Sequence, residues 1–151
     1  MVVDFIIPGQ PVPQARPRAG KIQRGKKRGQ TVLYDPQESK NYKNYVSIIA
    51  KQYAPKIPFE GALQVSIKIY RRIPKSATKK DRALFLAGIK RPVTKADTSN
   101  YVKGIEDALN GIIYKDDSQI VDLYAAKYYS DNPRVEISVR EIDEIAIGGM
   151  L

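Results

Sequence analysis

The pattern of hydrophobic and polar residues predicts four strands, which are short hydrophobic segments bounded by turn-forming residues. In one of them, Leu63, Val65 and Ile67 alternate with polar residues. The last two segments are separated by the turn-forming residues 130–133, Ser-Asp-Asn-Pro. The predicted strands cover 2–7, 62–70, 119–129 and 134–142.

Between the strands, hydrophobic residues recur every three or four positions, which predicts three helices. The first has Asp35 as its N-cap, Pro36 at the first helical position and Glu38 in the capping-box position, and it ends before Pro55. The third has the clearest hydrophobic face, and Gly111 suits the position after its C-terminus. The predicted helices cover 36–54, 79–87 and 98–110.

Residues 10–31 are rich in Pro, Gly, Arg and Lys and have no hydrophobic period, which predicts a long basic loop. The order β–α–β–α–α–β–β predicts an α/β (α+β) fold with a single mixed β-sheet and helices packed on it. The length of 151 residues suits one domain, which we assign to residues 1–142. Residues 143–151 form a hydrophobic C-terminal tail, and whether it packs on a partner subunit stays open.

The composition excludes several kinds of active site, because the chain contains neither cysteine nor histidine. Disulfides, thiolate metal sites, Ser-His-Asp triads and imidazole metal sites are therefore impossible. A bound metal would be a hard ion held by oxygen, meaning Mg²⁺ or Mn²⁺. No hydrophobic run approaches the ~20 residues that cross a membrane, and the first residues lack a signal-peptide pattern. We therefore expect a cytoplasmic protein.

The net charge of +10 is unevenly distributed along the chain. Residues 1–95 contain 21 Lys and Arg against five Asp and Glu, whereas residues 96–151 contain five against 11. A basic half joined to an acidic half suggests a polyanion-binding surface beside a cation-binding pocket. A charge asymmetry without function is the alternative.

Six of the 16 acidic residues lie between Asp97 and Asp122. Asp97 precedes the third helix, whereas Asp116 and Asp117 follow it. A helix of about 12 residues is about 18 Å long, so these acids become neighbours only if the chain folds back along it. Converging carboxylates repel, and a divalent cation relieves that repulsion and can activate water. Alternatively, Asp97 is only an N-cap, and the other two form only an exposed turn.

Three residues of the third helix are candidates to support such a site. Lys103 can reach a phosphate or a developing oxyanion, or it is an ordinary solvated lysine. Asn100 either caps the helix or supports the site. Asp107 is either a supporting acid or a surface partner of Lys103 at i, i+4.

The basic loop contains the candidate DNA-binding residues. Arg16 and Arg18 are held apart by Pro17, and their guanidinium groups suit phosphate because they bind its oxygens in pairs. Lys21 continues this basic stretch, as does the run 26–28. A mobile, solubilising loop is the alternative.

Residues 95–120 read KADTSNYVKGIEDALNGIIYKDDSQI, and this segment resembles the motif of the RusA-type Holliday-junction resolvases. The family pattern is roughly P-D-x-D-N-x-x-K, then D-A-L-N-G, then D-D-x-Q-V/I. Residues 7–13, IPGQPVP, and 16–18, RPR, are also similar to the family's opening. The resemblance covers about residues 2–142.

This resemblance implies a homodimer that binds four-way DNA junctions and nicks two strands symmetrically with Mg²⁺ or Mn²⁺. It also implies a role in recombination and repair and a bacterial, phage or prophage source. By position, Asp97 and Asp117 match the metal-site aspartates and Lys103 matches the motif lysine. Asp116 is an acidic neighbour and a further candidate metal ligand.

Ser99 departs from the family motif, because it replaces the second aspartate of P-D-x-D-N, and Ala96 replaces the preceding proline. A serine hydroxyl brings no charge, so we predict weaker metal binding than in a full-motif relative, with Asp116 or Glu106 compensating. A Ser99→Asp variant is then expected to require less Mg²⁺.

Three functions are compatible with the sequence. The first is an active structure-selective endonuclease, and the second is a branched-DNA-binding protein that has lost catalysis, for which Ser99 is the main argument. The third is a basic structural or RNA-associated protein. Junction binding without Mg²⁺-dependent cleavage supports the second, and unchanged activities after Asp97→Asn and Asp117→Asn support the third.

Overall fold

The computed structural model describes residues 1–16, 18–34 and 36–142. The residues that we assigned to a C-terminal tail, 143–151, lie outside this part of the chain. In chain order the elements are β1 (Val2–Pro8), β2 (Arg18–Lys21), β3 (Thr31–Tyr34), α1 (Gln37–Lys51), β4 (Leu63–Arg72), α2 (Lys79–Leu86), α3 (Thr98–Leu109), β5 (Ile120–Ser130) and β6 (Arg134–Glu141).

Four strands form one mixed sheet in the order β1-β6-β4-β5. The β1–β6 and β4–β6 pairs are antiparallel, whereas β4 and β5 are parallel. This arrangement confirms the predicted α+β class, with one mixed sheet and helices packed on it.

One face of the sheet carries the hydrophobic core. Because side chains alternate between the faces of a strand, Val65, Ile67 and Ile69 of β4 all lie on this face and are buried. They belong to the same cluster as Val46 of α1 and Leu109 of α3. The opposite face carries the polar residues of β4 and β6, including Ser66, Lys68, Glu136 and Ser138.

The predicted helices are confirmed, with changes at their ends. Helix α1 begins at Gln37 with Pro36 as its N-cap residue, so the helix begins one residue later than predicted, and Pro36 is not its first helical residue. Asp35, the predicted N-cap, lies outside the described residues. Helix α3 ends as predicted, with Gly111 at φ +76°. Such a positive φ suits glycine because it has no Cβ.

The prediction of a continuous loop over 10–31 is wrong in part, because β2 and β3 pair as a two-stranded antiparallel sheet. Between them, Gly29 N donates to Ile22 O, and Gly25 and Gly29 have positive φ values. The strands have four residues each and contain no hydrophobic alternation in β2. Backbone pairing forms this element, so its side chains give no period to detect. We call residues 16–34 the basic hairpin.

Candidate functional site

The chain folds back along α3, as it must if the acidic residues before and after this helix are to become neighbours. Tyr114 is fully buried, and its hydroxyl donates to the carbonyl of Glu106 at 2.9 Å. On either side of Tyr114, Ile113 O accepts from Phe59 N at 2.9 Å, and Lys115 N donates to Phe59 O at 3.2 Å. Strand β5 then runs beside α3.

This return places Asp117 beside the middle of α3. Lys103 Nζ lies 3.6 Å from Asp117 Oδ2 and 3.1 Å from Asp107 Oδ1. The hydrogen bond to Asp107 raises the pKa of Lys103, so the lysine is charged at neutral pH. The predicted i, i+4 pair therefore forms, and it is one half of a bridge between two carboxylates.

Glu106 adds a third carboxylate to this region. Burial raises the pKa of Glu106, and the charge of Asp117 raises it further. Glu106 and Lys103 line a cleft of about 380 Å³ between α3 and β5. Ser99 lines the same cleft, because it lies one turn before Lys103 and two turns before Glu106. We call Lys103, Glu106, Asp107 and Asp117 the acidic cluster.

Asp97 lies at the start of α3. It is the N-cap residue, as predicted, but its side chain makes no capping hydrogen bond. Its carboxylate is exposed and is attracted to the ammonium of Lys127 on β5. Asp97 precedes Lys103 by six residues, which is about 9 Å along a helix axis.

The structure therefore brings Asp117 to Lys103 without gathering all of the predicted metal ligands. Residues 1–16, 18–34 and 36–142 contain no three acidic side chains placed so that they could hold a metal ion together. The chemistry of the donors nevertheless fits a hard divalent cation. Asp97 has a carboxylate that caps nothing. Burial is the main cause of the raised pKa of Glu106, and repulsion from Asp117, which a divalent cation would relieve, adds to it.

Asp116 has a different environment from Asp117. Its exposed carboxylate accepts a hydrogen bond from Ser118 N at 3.0 Å and caps the short turn Asp117–Gln119. Hydrogen bonding to the Ser118 side chain and to its backbone N–H lowers the pKa of Asp116. Gln119 completes the turn, because its side chain accepts from Asp116 N and donates to Phe59 O. The turn thereby fixes the direction of the neighbouring Asp117.

The residues just before the basic hairpin attach the chain to the same helix and to α1. Gln14 N donates to the carbonyl of Asn100 in α3 at 3.0 Å, and the Gln14 side chain lies against Gly104. Ala15 N donates to the buried Ser39 of α1 at 3.1 Å. The chain therefore reaches the exposed Arg16 directly from α3.

The other two candidate DNA-binding residues of the basic hairpin lie at the two ends of β2. Arg18 and Lys21 are the first and last residues of β2. Lys21 is exposed, and the side chain of Arg18 lies outside the described part. Asn100 contributes its carbonyl to the attachment, so it fixes the hairpin.

Sequence reasoning missed Lys127 and the attachment residues Gln14 and Ser39. Lys127 and Ala125 lie on the same side of β5, the side that faces α3. A charged residue on that side of a predicted strand could have been noticed in the sequence. The hydrogen bonds of Gln14 and Ser39 join segments far apart in the chain, so their partners have no local pattern.

Two comparisons place the chain among known proteins. The family model of the endodeoxyribonuclease RusA matches residues 8–140. An uncharacterized protein, YqaN, of Bacillus subtilis (strain 168) is 46% identical over 142 residues, which are 93% of this chain and 96% of YqaN. The matched region contains the basic hairpin, the acidic cluster and Asp97. This chain belongs to the RusA endodeoxyribonuclease family.

Proposed function

We propose that the protein is a structure-selective endodeoxyribonuclease that resolves four-way DNA junctions by metal-dependent hydrolysis of phosphodiester bonds. The observation that supports this most is the approach of Lys103 Nζ to Asp117 Oδ2 at 3.6 Å. It unites two residues that lie on opposite sides of a buried turn and that match the family motif. We place the activity in recombination and repair, in the cytoplasm of a bacterium or in a phage or prophage. None of the described helices is long and hydrophobic enough to span a membrane.

In this proposal Asp97 and Asp117 would hold a divalent cation, Mg²⁺ or Mn²⁺, with Glu106 adding charge where Ser99 has none. When bound, the cation supplies Lewis-acid chemistry by polarising the phosphodiester. We assign to Asp116 the shaping of the turn, because its carboxylate already accepts a hydrogen bond from Ser118 N.

Lys103 is proposed to stabilise the charge that develops on the phosphate. Its ammonium has three donors; one is directed to Asp107 at 3.1 Å, and a second faces Asp117 in an ion pair at 3.6 Å. The third donor is available to a phosphate oxygen, and the exposed position of the side chain allows DNA to approach. Fixed donors of this kind stabilise a transition state because they need no reorganisation during the reaction.

The basic hairpin is proposed to hold the DNA backbone through Arg16, Arg18 and Lys21. Gln14, just before the hairpin, contacts Asn100 and Gly104, so the hairpin begins beside the helix that carries Lys103. Symmetric nicking of a junction requires two such sites, so we also propose a homodimer.

A catalytically inactive junction-binding protein is the second candidate. It is favoured by Ser99 and by the absence, among the described residues, of three acidic side chains placed so that they could hold a metal ion together. Both candidates predict tight binding to a four-way junction, so only cleavage separates them.

The test is to incubate the protein with a labelled four-way junction and with linear duplex, in Mg²⁺, in Mn²⁺ and in chelator. The proposed function predicts metal-dependent nicks on two opposite strands of the junction and none on the duplex. Junction binding without cleavage in either metal would support the inactive protein instead.

A further inference from the structure

Residues 89–96 lead directly into Asp97, and β4 and β5 hold the end of this segment. Lys127 Nζ donates to the carbonyl of Ala96 at 2.9 Å and to that of Thr94 at 3.2 Å. Arg71 of β4 donates to the same Thr94 carbonyl at 3.3 Å. The backbone just before Asp97 is thus fixed by two cationic side chains.

Lys127 is itself firmly placed. It pairs with Ile69 in the parallel β4–β5 ladder, and its own carbonyl accepts from Arg91 Nε at 2.8 Å. The guanidinium of Arg91 lies 3.9 Å from the centre of the Tyr128 ring. Both the side chain and the backbone of Lys127 therefore hold the segment against the sheet.

The ammonium of Lys127 also attracts the carboxylate of Asp97. This carboxylate makes no capping hydrogen bond, so its position follows from the preceding backbone, which Lys127 and Arg71 hold. A partly buried lysine with two carbonyl acceptors is poorly placed to bind a DNA phosphate as well.

We propose that Lys127 is a positioning residue for Asp97: it fixes the backbone at Thr94 and Ala96, and with it the start of α3, where Asp97 lies. The proposal rests on the proposed nuclease function, in which Asp97 is a site residue. Groups behind a site commonly change activity by about 10- to 100-fold when removed, although they never touch the substrate.

The experiment compares Lys127→Met, which keeps the aliphatic stem, with Lys127→Arg, which keeps the charge and several donors. Lys68→Met is the matched control, because Lys68 lies on the adjacent strand and on the open face of the sheet. Three quantities are measured for each protein: the single-turnover cleavage rate, junction affinity in chelator, and backbone hydrogen exchange over 94–100.

Lys127→Met is expected to cleave about 10- to 100-fold more slowly with unchanged junction affinity and with faster exchange confined to 94–100. Lys127→Arg is expected to restore most of both properties, and Lys68→Met to match the wild type. Unchanged exchange in Lys127→Met would overturn the proposal. So would faster exchange along the whole of β5 that the arginine does not restore, which would mean a general structural role.

The exchange measurement keeps the two proposals separable. If the wild type cleaves no junction, the proposed function fails, whereas exchange at 94–100 still tests whether Lys127 holds the segment. If the wild type cleaves and Lys127→Met cleaves equally well, only the role of Lys127 is contradicted.

Discussion

The acidic cluster lies at α3, and the segment just before the basic hairpin is attached to the same helix, but the two regions are held in different ways. Asp117 reaches Lys103 only because the buried Tyr114 and the paired Phe59 fix the returning chain. The basic hairpin is held through the two residues that precede it, Gln14 and Ala15. The described side chains of the hairpin itself are mostly exposed.

This difference matches the demands of the two proposed tasks. Chemistry at a phosphate requires donors and acceptors within fractions of an ångström of their working positions. Binding a DNA backbone requires positive charge near many phosphates and tolerates looser placement. We therefore expect changes in the acidic cluster to affect the cleavage rate and changes in the basic hairpin to affect affinity.

The largest expected effect comes from Asp117→Asn, which removes a charge from the acidic cluster with little change in shape. Several kcal/mol of lost transition-state stabilisation correspond to a rate at least about 10³-fold lower, with junction affinity preserved. Single-turnover cleavage and binding in chelator measure the two quantities. Asp122→Asn is the matched control, because Asp122 lies on the opposite face of β5 and lines a different pocket. Equal losses in the two variants would contradict the assignment.

Lys103→Met is expected to slow cleavage about 10²-fold, because one fixed donor to the developing charge is lost. Junction affinity is expected to change less than about threefold, since a single phosphate contact contributes little to binding by a multi-contact surface. Lys115→Met is the control, because Lys115 is also an exposed, ion-paired lysine, bound to Glu60. A Lys103 variant that lost affinity but not rate would place Lys103 in the binding surface.

Replacing both Arg16 and Arg18 by alanine is expected to have the reverse effect. Affinity at physiological salt falls on the order of tenfold, and the slope of log K against log salt falls by about two, one for each phosphate contact. The rate at saturating protein is unchanged. Titrations at several salt concentrations measure this, and alanine at Lys68 and Arg140 on the open sheet face removes the same charge as a control. Equal slopes for the two double variants would mean that only net charge matters.

The smallest expected effect is on stability, through Glu106. Because its pKa is raised in the folded protein, the ionised form costs stability above the ordinary carboxyl pKa, and the cost disappears when acid protonates both states. Glu106→Gln is therefore expected to raise the Tm at pH 7 by a few degrees at most and to leave it unchanged near pH 3. Calorimetry at both pH values measures the difference. A lower Tm at pH 7 would mean that Glu106 makes a favourable interaction as an anion.

The main elements were predictable from local patterns of hydrophobic and turn-forming residues. Strand β4 and the helices have hydrophobic periods, β1 is a short hydrophobic run before a turn, and Gly111 marks the end of α3 at the predicted place. Strands β2 and β3 were not predicted, since four-residue strands stabilised by backbone pairing leave no period in the sequence.

The candidate site was predictable only along α3. The spacing of Lys103 and Asp107 gives their ion pair directly, because residues four apart share a helix face. The position of Asp117 depends on Phe59, and the surroundings of Asp97 depend on Lys127. Both partners are distant in the chain, so no local pattern pairs Phe59 with Asp117 or Lys127 with Asp97.

The most direct test of a catalytic centre at this helix is to locate a bound metal without measuring activity. Mn²⁺ is added to the isotope-labelled wild-type protein, and the broadening of each backbone amide signal is recorded by NMR. If the metal binds at the proposed site, the broadening is centred on residues 97–99, Glu106 and residues 117–118. Broadening centred instead on Asp122 and the open face of the sheet, or spread evenly over the exposed acids, would contradict it.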